Sequence, residues 1–138
     1  MPTVQEYMSK DIIVLEPTQL LYHAFATMEL YHLRHIPVVD KQERLVGILS
    51  DRDLKKTMNA SFDEVQQDFV DSVMLTPLSE VMTPNVITAT PEADLVDVAR
   101  LMLSHKISSI VVVREGETRP VGIITDTDLL RLMLDTLG

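Results

Sequence analysis

Hydrophobic residues occur along this chain in two long blocks that repeat the same order of apolar and polar positions. The blocks begin at Val4 and Leu78. Each closes with a Gly-Ile-apolar-Ser/Thr-x-x-Asp-Leu segment, and the second glycine, Gly122, lies 75 residues after Gly47. A repeat of this length that keeps whole hydrophobic segments in register indicates two copies of one structural unit.

Each block predicts the order β-α-β-β-α. In the first, an apolar segment over 11–15 precedes a helix that opens at Pro17 with Thr18 as its N-cap, and strands follow over 36–39 and 44–49. In the second, strands over 86–89, 109–113 and 121–124 surround a helix that opens at 90–92. Helical spacing predicts two buried faces: Leu21, Ala24, Phe25, Met28 and Tyr31 in the first block, and Leu95, Val98, Ala99 and Met102 in the second.

The fold class that follows is α/β (α+β), with two βαββα units packed about a pseudo-two-fold axis. The predicted boundaries are 1–60 for the first repeat, 61–77 for a connecting helix and 78–138 for the second repeat. The hairpin strands are apolar at nearly every residue, which predicts that they are covered on both faces.

The segment between the repeats does not resemble a linker. Phe62, Val65, Phe69 and Val73 recur at helical spacing over 61–75, with charged and amide side chains on the other faces. This pattern predicts an amphipathic helix. It packs either on its own domain or on another subunit, and the sequence leaves both open.

Composition narrows the functional classes. The chain has 138 residues, a net charge of −9, no cysteine and no apolar run of membrane-spanning length. We therefore expect a cytoplasmic protein without a membrane segment and without a nucleic-acid surface, which needs clustered Lys and Arg. The four histidines are expected to be structural or solvated, so no metal site is predicted, and no catalytic motif appears.

The candidate chemistry lies in two matching motifs, Ser50-x-x-Asp53 and Thr125-x-x-Asp128. Each follows a glycine-containing strand and begins a helix, where unpaired N–H groups favour an anion. A carboxylate accepts hydrogen bonds only, so it suits the hydroxyl pair of a ribose, while the hydroxyl and amides suit a phosphate. The alternative is that both motifs are capping boxes that only begin their helices.

Two further groups precede the middle strand of each repeat. Arg34 and His35 stand in the first repeat, where Ser108 and Ser109 stand in the second. Arg34 is suited to a charge-assisted bond with a phosphate, and Arg52 adds a second cation to the first motif. The alternative for Arg34 and His35 is a solvated loop. The two sites are therefore expected to differ in charge preference.

These motifs, in this order and spacing, resemble the cystathionine-β-synthase-type (CBS) domain. The pattern is Val-x-x-x-Met-Thr-x-x-Val-Ile-Thr-x-x-Pro, then Ile-Pro-Val-Val-Asp, then Gly-Ile-x-Ser/Thr-x-x-Asp-Leu. With conservative replacements the chain matches it twice, from about Val4 to Met58 and from about Leu78 to Leu137. The arrangement with an intervening helix is most similar to stand-alone acetoin-utilisation-type CBS proteins.

The resemblance implies a tandem, called a Bateman module, that binds AMP, ADP, ATP, S-adenosylmethionine or NAD in clefts between its repeats. It implies that Asp53 and Asp128 hold ribose hydroxyls, that Ser50 and Thr125 contact ribose or phosphate, and that Arg34, His35, Ser108 and Ser109 lie near phosphates. It places backbone around Ile13 and Ile87 at the adenine edge, with Val38 and Val112 near the ring. It also implies homodimers.

Two functions follow as expectations. The first is a non-catalytic regulatory module that senses an adenine nucleotide and signals to an unidentified partner through a conformational or dimer change. The second is a protein-interaction or oligomerisation module without a small ligand, which the inserted amphipathic helix favours. No sequence feature supports an enzyme.

Overall fold

The computed structural model describes residues 1–62 and 72–138. It divides into two compact units, which we name after the repeat that each mainly contains. The first-repeat unit is Ile13–Asn85, and the second-repeat unit joins Met1–Ile12 to Val86–Gly138. Described elements are, in chain order, α1 (Val4–Tyr7), α2 (Leu21–Tyr31), β1 (His35–Val39), β2 (Leu45–Ser50), α3 (Asp51–Phe62), a 3₁₀ turn (Leu78–Glu80), β3 (Thr88–Ala89), α4 (Leu95–His105), β4 (Ser109–Val113), β5 (Pro120–Thr125) and α5 (Asp126–Leu137).

Each unit contains a small sheet built around an antiparallel hairpin. In the first-repeat unit β1 and β2 form an antiparallel hairpin, and Leu15 bridges to Val38 in parallel. In the second-repeat unit the strand order is β3-β4-β5, with β3 parallel to β4 and β5 antiparallel. The mixed α/β fold with two repeats is therefore confirmed. The first strand predicted over 11–15 is wrong in extent, since only Leu15 makes a bridge.

The N-terminal segment of each sequence repeat packs on the other repeat. Val4 is fully buried in the core of the second-repeat unit, and Leu78 is fully buried in the core of the first-repeat unit. Backbone hydrogen bonds fix both segments, for example from Val4 N–H to Ala93 O at 2.9 Å and from Leu78 N–H to Gln19 O at 2.8 Å. The spatial units thus exchange segments, whereas the boundaries 1–60, 61–77 and 78–138 stay a prediction about the sequence repeat.

This exchange explains why α2 and α4 begin later than predicted. Thr18 is not an N-cap: α2 begins at Leu21, whose N–H donates to Thr76 O at 2.8 Å. The predicted opening at 90–92 is also wrong, because α4 begins at Leu95 and its N-cap is Asp94, which accepts from Val96 N–H. The residues after each proline form a turn that pairs with the incoming segment instead of starting a helix.

The predicted buried faces are largely confirmed. Leu21, Ala24 and Met28 are buried, and Phe25 packs against them, but Tyr31 is 54% exposed because α2 ends there. In the second repeat Leu95, Val98 and Met102 are buried, and Ala99 is half-buried.

The prediction that the hairpin strands are covered on both faces is confirmed for β1 and β4 but not for β2 and β5. The middle strands β1 and β4 are buried at four of their five residues. The return strands β2 and β5 alternate between buried and half-buried positions.

Most of the predicted inserted helix, including Val65 and Phe69, lies outside the described residues. Residues 72–74 are helical, and Val73 packs against the core of the first-repeat unit.

Within residues 1–62 and 72–138, every helix is too short or too polar to cross a membrane.

Candidate functional site

The predicted site residues of each repeat come together at one edge of its sheet. In the first-repeat unit His35, at the start of β1, pairs with Ser50, at the end of β2, and Asp51 N–H donates to Arg34 O at 2.9 Å. The second-repeat unit repeats this arrangement: Ser109 pairs with Thr125, and Asp126 N–H donates to Ser108 O at 3.0 Å. The hairpin brings these groups together although 15 or more residues separate them in sequence.

The first motif forms a reciprocal pair of hydrogen bonds at the start of α3. Ser50 N–H donates to Asp53 Oδ2 at 3.0 Å, and Asp53 N–H donates to Ser50 Oγ at 3.1 Å. Both residues are half-buried. The capping interpretation is therefore confirmed for this motif. The half-buried carboxylate and hydroxyl remain suited to a polar ligand, and their ligand role stays a prediction.

The second motif also forms a capping box, at the start of α5. Asp128 Oδ2 accepts both the Thr125 N–H at 2.9 Å and the Thr125 hydroxyl at 3.3 Å. Its other oxygen, Oδ1, forms an ion pair with Arg131, one turn further along the helix. Asp128 is only 3% exposed, so this carboxylate is enclosed where Asp53 is not.

The remaining predicted site residues differ in how deeply they are buried. Arg34 and Arg52 are exposed, and His35 and Ser108 are half-buried, whereas Ser109 is 8% exposed. Half-buried Ile13 and Ile87 precede the first, parallel strand of their units, so they lie toward the same edge as the motifs. Val38 and Val112 are fully buried in the two cores. Their proposed place near a ligand ring stays a prediction.

Sequence reasoning overlooked a polar cluster next to the second motif. Tyr7 on α1 donates its hydroxyl hydrogen to Asp135 Oδ2 at 2.8 Å, and this bond raises the pKa of Tyr7. Arg131 and Asp135, with Tyr7, line an open cavity of about 540 Å³. The spacing of Asp128, Arg131 and Asp135 on one helical face was the available signal, because residues three and four apart are neighbours on a helix.

Among residues 1–62 and 72–138, no group of three or more acidic or histidine side chains is placed to hold a metal ion. His23 instead serves the backbone, since its Nδ1 accepts the Leu20 N–H at 3.0 Å at the start of α2. The His23 imidazole thus caps the start of α2.

Fold and site together define a tandem-repeat α/β protein that carries the same polar motif at the same sheet edge in both units. The family model of the CBS domain matches the chain twice, over residues 4–60 and 78–135. The chain therefore belongs to the CBS domain family.

Solved structures of CBS pairs cover nearly the whole chain. The CBS domain pair of protein MJ0100, in complex with 5′-methylthioadenosine and S-adenosylmethionine, is 29% identical with a TM-score of 0.84, over 99% of this chain and 98% of that one. A putative acetoin utilisation protein (AcuB) of Vibrio cholerae is 34% identical with a TM-score of 0.80, over 99% and 93%. The similarity to stand-alone acetoin-utilisation-type proteins is thus confirmed.

A third structure, CBSX2 in complex with AMP, is 25% identical with a TM-score of 0.82 and covers both chains completely. The chain also matches a small part of a larger enzyme. The inosine-5′-monophosphate dehydrogenase of Methanocaldococcus jannaschii is 30% identical over 126 residues, which are 91% of this chain and 22% of that enzyme. The chain therefore spans about a fifth of the length of that relative.

Proposed function

We propose that this chain is a non-catalytic regulatory module that binds adenosine-containing ligands at its two Ser/Thr-x-x-Asp motifs. One observation carries the proposal: each unit holds a hydroxyl, a carboxylate and helix N–H groups together at one sheet edge, in a chain similar to solved CBS pairs that hold AMP, 5′-methylthioadenosine and S-adenosylmethionine. A carboxylate that only accepts hydrogen bonds is suited to a ribose diol.

The roles follow from the side chains at each edge. Asp53 and Asp128 accept the ribose hydroxyls, and Ser50 and Thr125 contact ribose or phosphate. Arg34, with Arg52 and His35, gives the first site a preference for phosphate, because guanidinium pairs bidentately with phosphate oxygens. Ser108 and Ser109 offer neutral hydroxyls to the second site. The expected ligands are AMP, ADP or ATP, with S-adenosylmethionine and NAD as further candidates.

The output of such a module is a change in conformation or in dimer state that a regulated protein recognises. A ligand shifts such an equilibrium only by its difference in affinity for the two states. We expect a homodimer in the cytoplasm with an unidentified regulated protein as its partner.

Isothermal titration calorimetry with AMP tests the proposal on Asp53→Asn, Asp128→Asn and the double variant. Asparagine keeps one acceptor oxygen for the helix cap but replaces the other with a donor, so the fold persists while the diol loses its carboxylate. The double variant is expected to bind AMP at least tenfold more weakly, since a hydrogen bond to a charged group contributes about 1.5–3 kcal/mol.

Asp94→Asn is the matched control. Asp94 caps α4 through Val96 N–H at 3.0 Å but lies in neither motif, so it carries the same kind of change outside the proposed sites. Wild-type affinity is expected in this control. Unchanged AMP affinity in the double Asp53→Asn, Asp128→Asn variant would contradict the assignment of these carboxylates.

A protein-interaction or oligomerisation module is the second candidate function. An exposed apolar row on α5 favours it, because Leu130, Met133, Leu134 and Leu137 are between 54% and 76% exposed. If the chain is an interaction module without a small ligand, no nucleotide is expected to raise its melting temperature. Polar substitution of Leu134 then abolishes self-association or partner binding, as measured by sedimentation velocity.

A further inference from the structure

The carboxylate of the second motif is already engaged by the protein itself. Asp128 Oδ2 accepts two hydrogen bonds from Thr125, at 2.9 and 3.3 Å, and Oδ1 pairs with the Arg131 guanidinium. The side chain of Asp128 is 5% exposed, whereas that of Arg131 is 58% exposed. The exposed guanidinium is therefore paired with a carboxylate that is almost completely enclosed, and a ligand hydroxyl that binds Asp128 competes with it.

The first motif has no arginine at the corresponding position. Asp53 is half-buried, and its Oδ2 accepts the Ser50 N–H at 3.0 Å. The position that corresponds to Arg131, 75 residues earlier, is Lys56, which is exposed. Lysine carries a compact, strongly hydrated charge on a flexible stem, whereas arginine presents a rigid fork of donors that matches a carboxylate. The two repeats thus differ at the residue best placed to occupy the motif's carboxylate.

The side chains around Arg131 are not repeated at the corresponding positions of the first-repeat unit. Asp135, four residues further along α5, accepts the Tyr7 hydroxyl hydrogen at 2.8 Å, and Glu6, Arg131 and Asp135 line the same cavity of about 540 Å³. The sequence has Lys56, Ala60 and Val81 where the second-repeat unit has Arg131, Asp135 and Tyr7. When Arg131 leaves Asp128, Asp135 and Glu6 provide other carboxylates within the cavity that it already lines.

We propose that the two adenosine sites are inequivalent and that Arg131 sets the difference. A ribose that binds Asp128 has to displace the Arg131 guanidinium, so the Ser50–Asp53 site fills first and the Thr125–Asp128 site fills at higher ligand concentration. This inference rests on the proposed function. Arg131 acts through Asp128 and is a specificity-determining residue of the second site.

Two charge-conserving substitutions test the inference reciprocally. Arg131→Lys gives the second site the lysine of the first, and Lys56→Arg gives the first site the arginine of the second. Both variants keep a cation on an exposed helix position, so the fold is expected to be retained, which thermal unfolding checks. The probe is 5′-methylthioadenosine, which has the ribose diol but no phosphate, so that direct attraction of Arg131 to a phosphate does not enter the measurement.

Calorimetric titration of the wild type is expected to give a strong and a weak step, with Asp53→Asn removing the strong one and Asp128→Asn the weak one. Arg131→Lys should tighten the weak step about fivefold, and Lys56→Arg should weaken the strong step by a similar factor, because a charge-assisted contact is gained or lost against the diol. Two equal sites in the wild type, or a weak step unchanged by Arg131→Lys, overturn the inference and leave the proposed function standing. Absence of binding by both 5′-methylthioadenosine and AMP overturns both.

Discussion

Alanine at the strand glycines should reveal how tightly the exchanged segments are docked. A Cβ at Gly122 would lie 2.5 Å from Met8 Sδ and 3.0 Å from Ser9 O, and a Cβ at Gly47 would lie 2.5 Å from Met82 Sδ and 2.8 Å from Met82 Cγ. Neither glycine has a positive φ, so alanine brings no backbone strain and the effect is steric. Each glycine belongs to one repeat and each methionine to the other.

The magnitude follows from these contacts. Overpacking of a filled site costs about 1–3 kcal/mol. With about 2.1 cal/mol/K of unfolding entropy per residue, a chain of 138 residues loses about 3 °C per kcal/mol, so Gly122→Ala should lower the melting temperature by about 3–10 °C. Gly47→Ala should cost less, because all three of its nearest atoms belong to the Met82 side chain, whereas Gly122 also meets the backbone oxygen of Ser9.

Double-mutant cycles measured by urea unfolding separate the two cases. Met82→Ala should relieve Gly47→Ala, giving a coupling free energy of at least about 1 kcal/mol, since the clashing atoms are removed. Met8→Ala should relieve Gly122→Ala only in part, because the Ser9 carbonyl remains. If both glycine variants unfold within about 0.5 kcal/mol of the wild type, or if the Gly47–Met82 effects are additive, the docking described above is refuted.

Two pH dependences follow from the hydrogen bonds of Asp40 and Tyr7. Backbone hydrogen bonds from Arg44 and Gln42, together with the Arg44 side chain, hold the pKa of Asp40 below its ordinary 3.8. The contribution of Asp40 to stability is therefore present above that value and is lost as pH falls through the folded-state pKa. Asp40→Asn should remove this part of the acid sensitivity in urea titrations between pH 2 and 5, and an unchanged acid profile would argue against it. The hydrogen bond to Asp135 raises the pKa of Tyr7 above 10.0, so its contribution to stability is present below that value and is lost as pH rises through the folded-state pKa. Tyr7→Phe should flatten the stability profile above pH 9 in urea titrations, and an unchanged profile would argue against this contribution.

Local patterns in the sequence were sufficient for much of the fold. Apolar periodicity predicted α2, α4 and both hairpins, and the caps at Ser50 and Thr125 were predicted from their spacing to an aspartate three residues later. These features depend on residues that are close together in sequence. The sequence pattern of each repeat was therefore enough to predict them in both repeats. The same repeat predicted that the polar residues before β1 and β4 would accompany the two motifs.

Other features depended on partners distant in sequence. The helices begin at Leu21 and Leu95, because backbone groups of 76–78 and of 2–5 occupy the preceding turns. Thr18 does not cap the helix, because tertiary hydrogen bonds satisfy the backbone groups that a cap at this position would satisfy.

The difference between the two motifs was likewise decided by tertiary structure. The sequence motif is the same around Asp53 and Asp128, so it predicts the same role for both. In the folded chain Asp128 is enclosed and paired with Arg131, and Tyr7 from the other end of the chain contacts Asp135. The amino-acid sequence by itself therefore determined the repeated unit, its caps and its candidate polar groups. Tertiary structure decided which segment completes each unit and how accessible each carboxylate is, because burial and long-range pairing depend on residues that the local pattern does not contain.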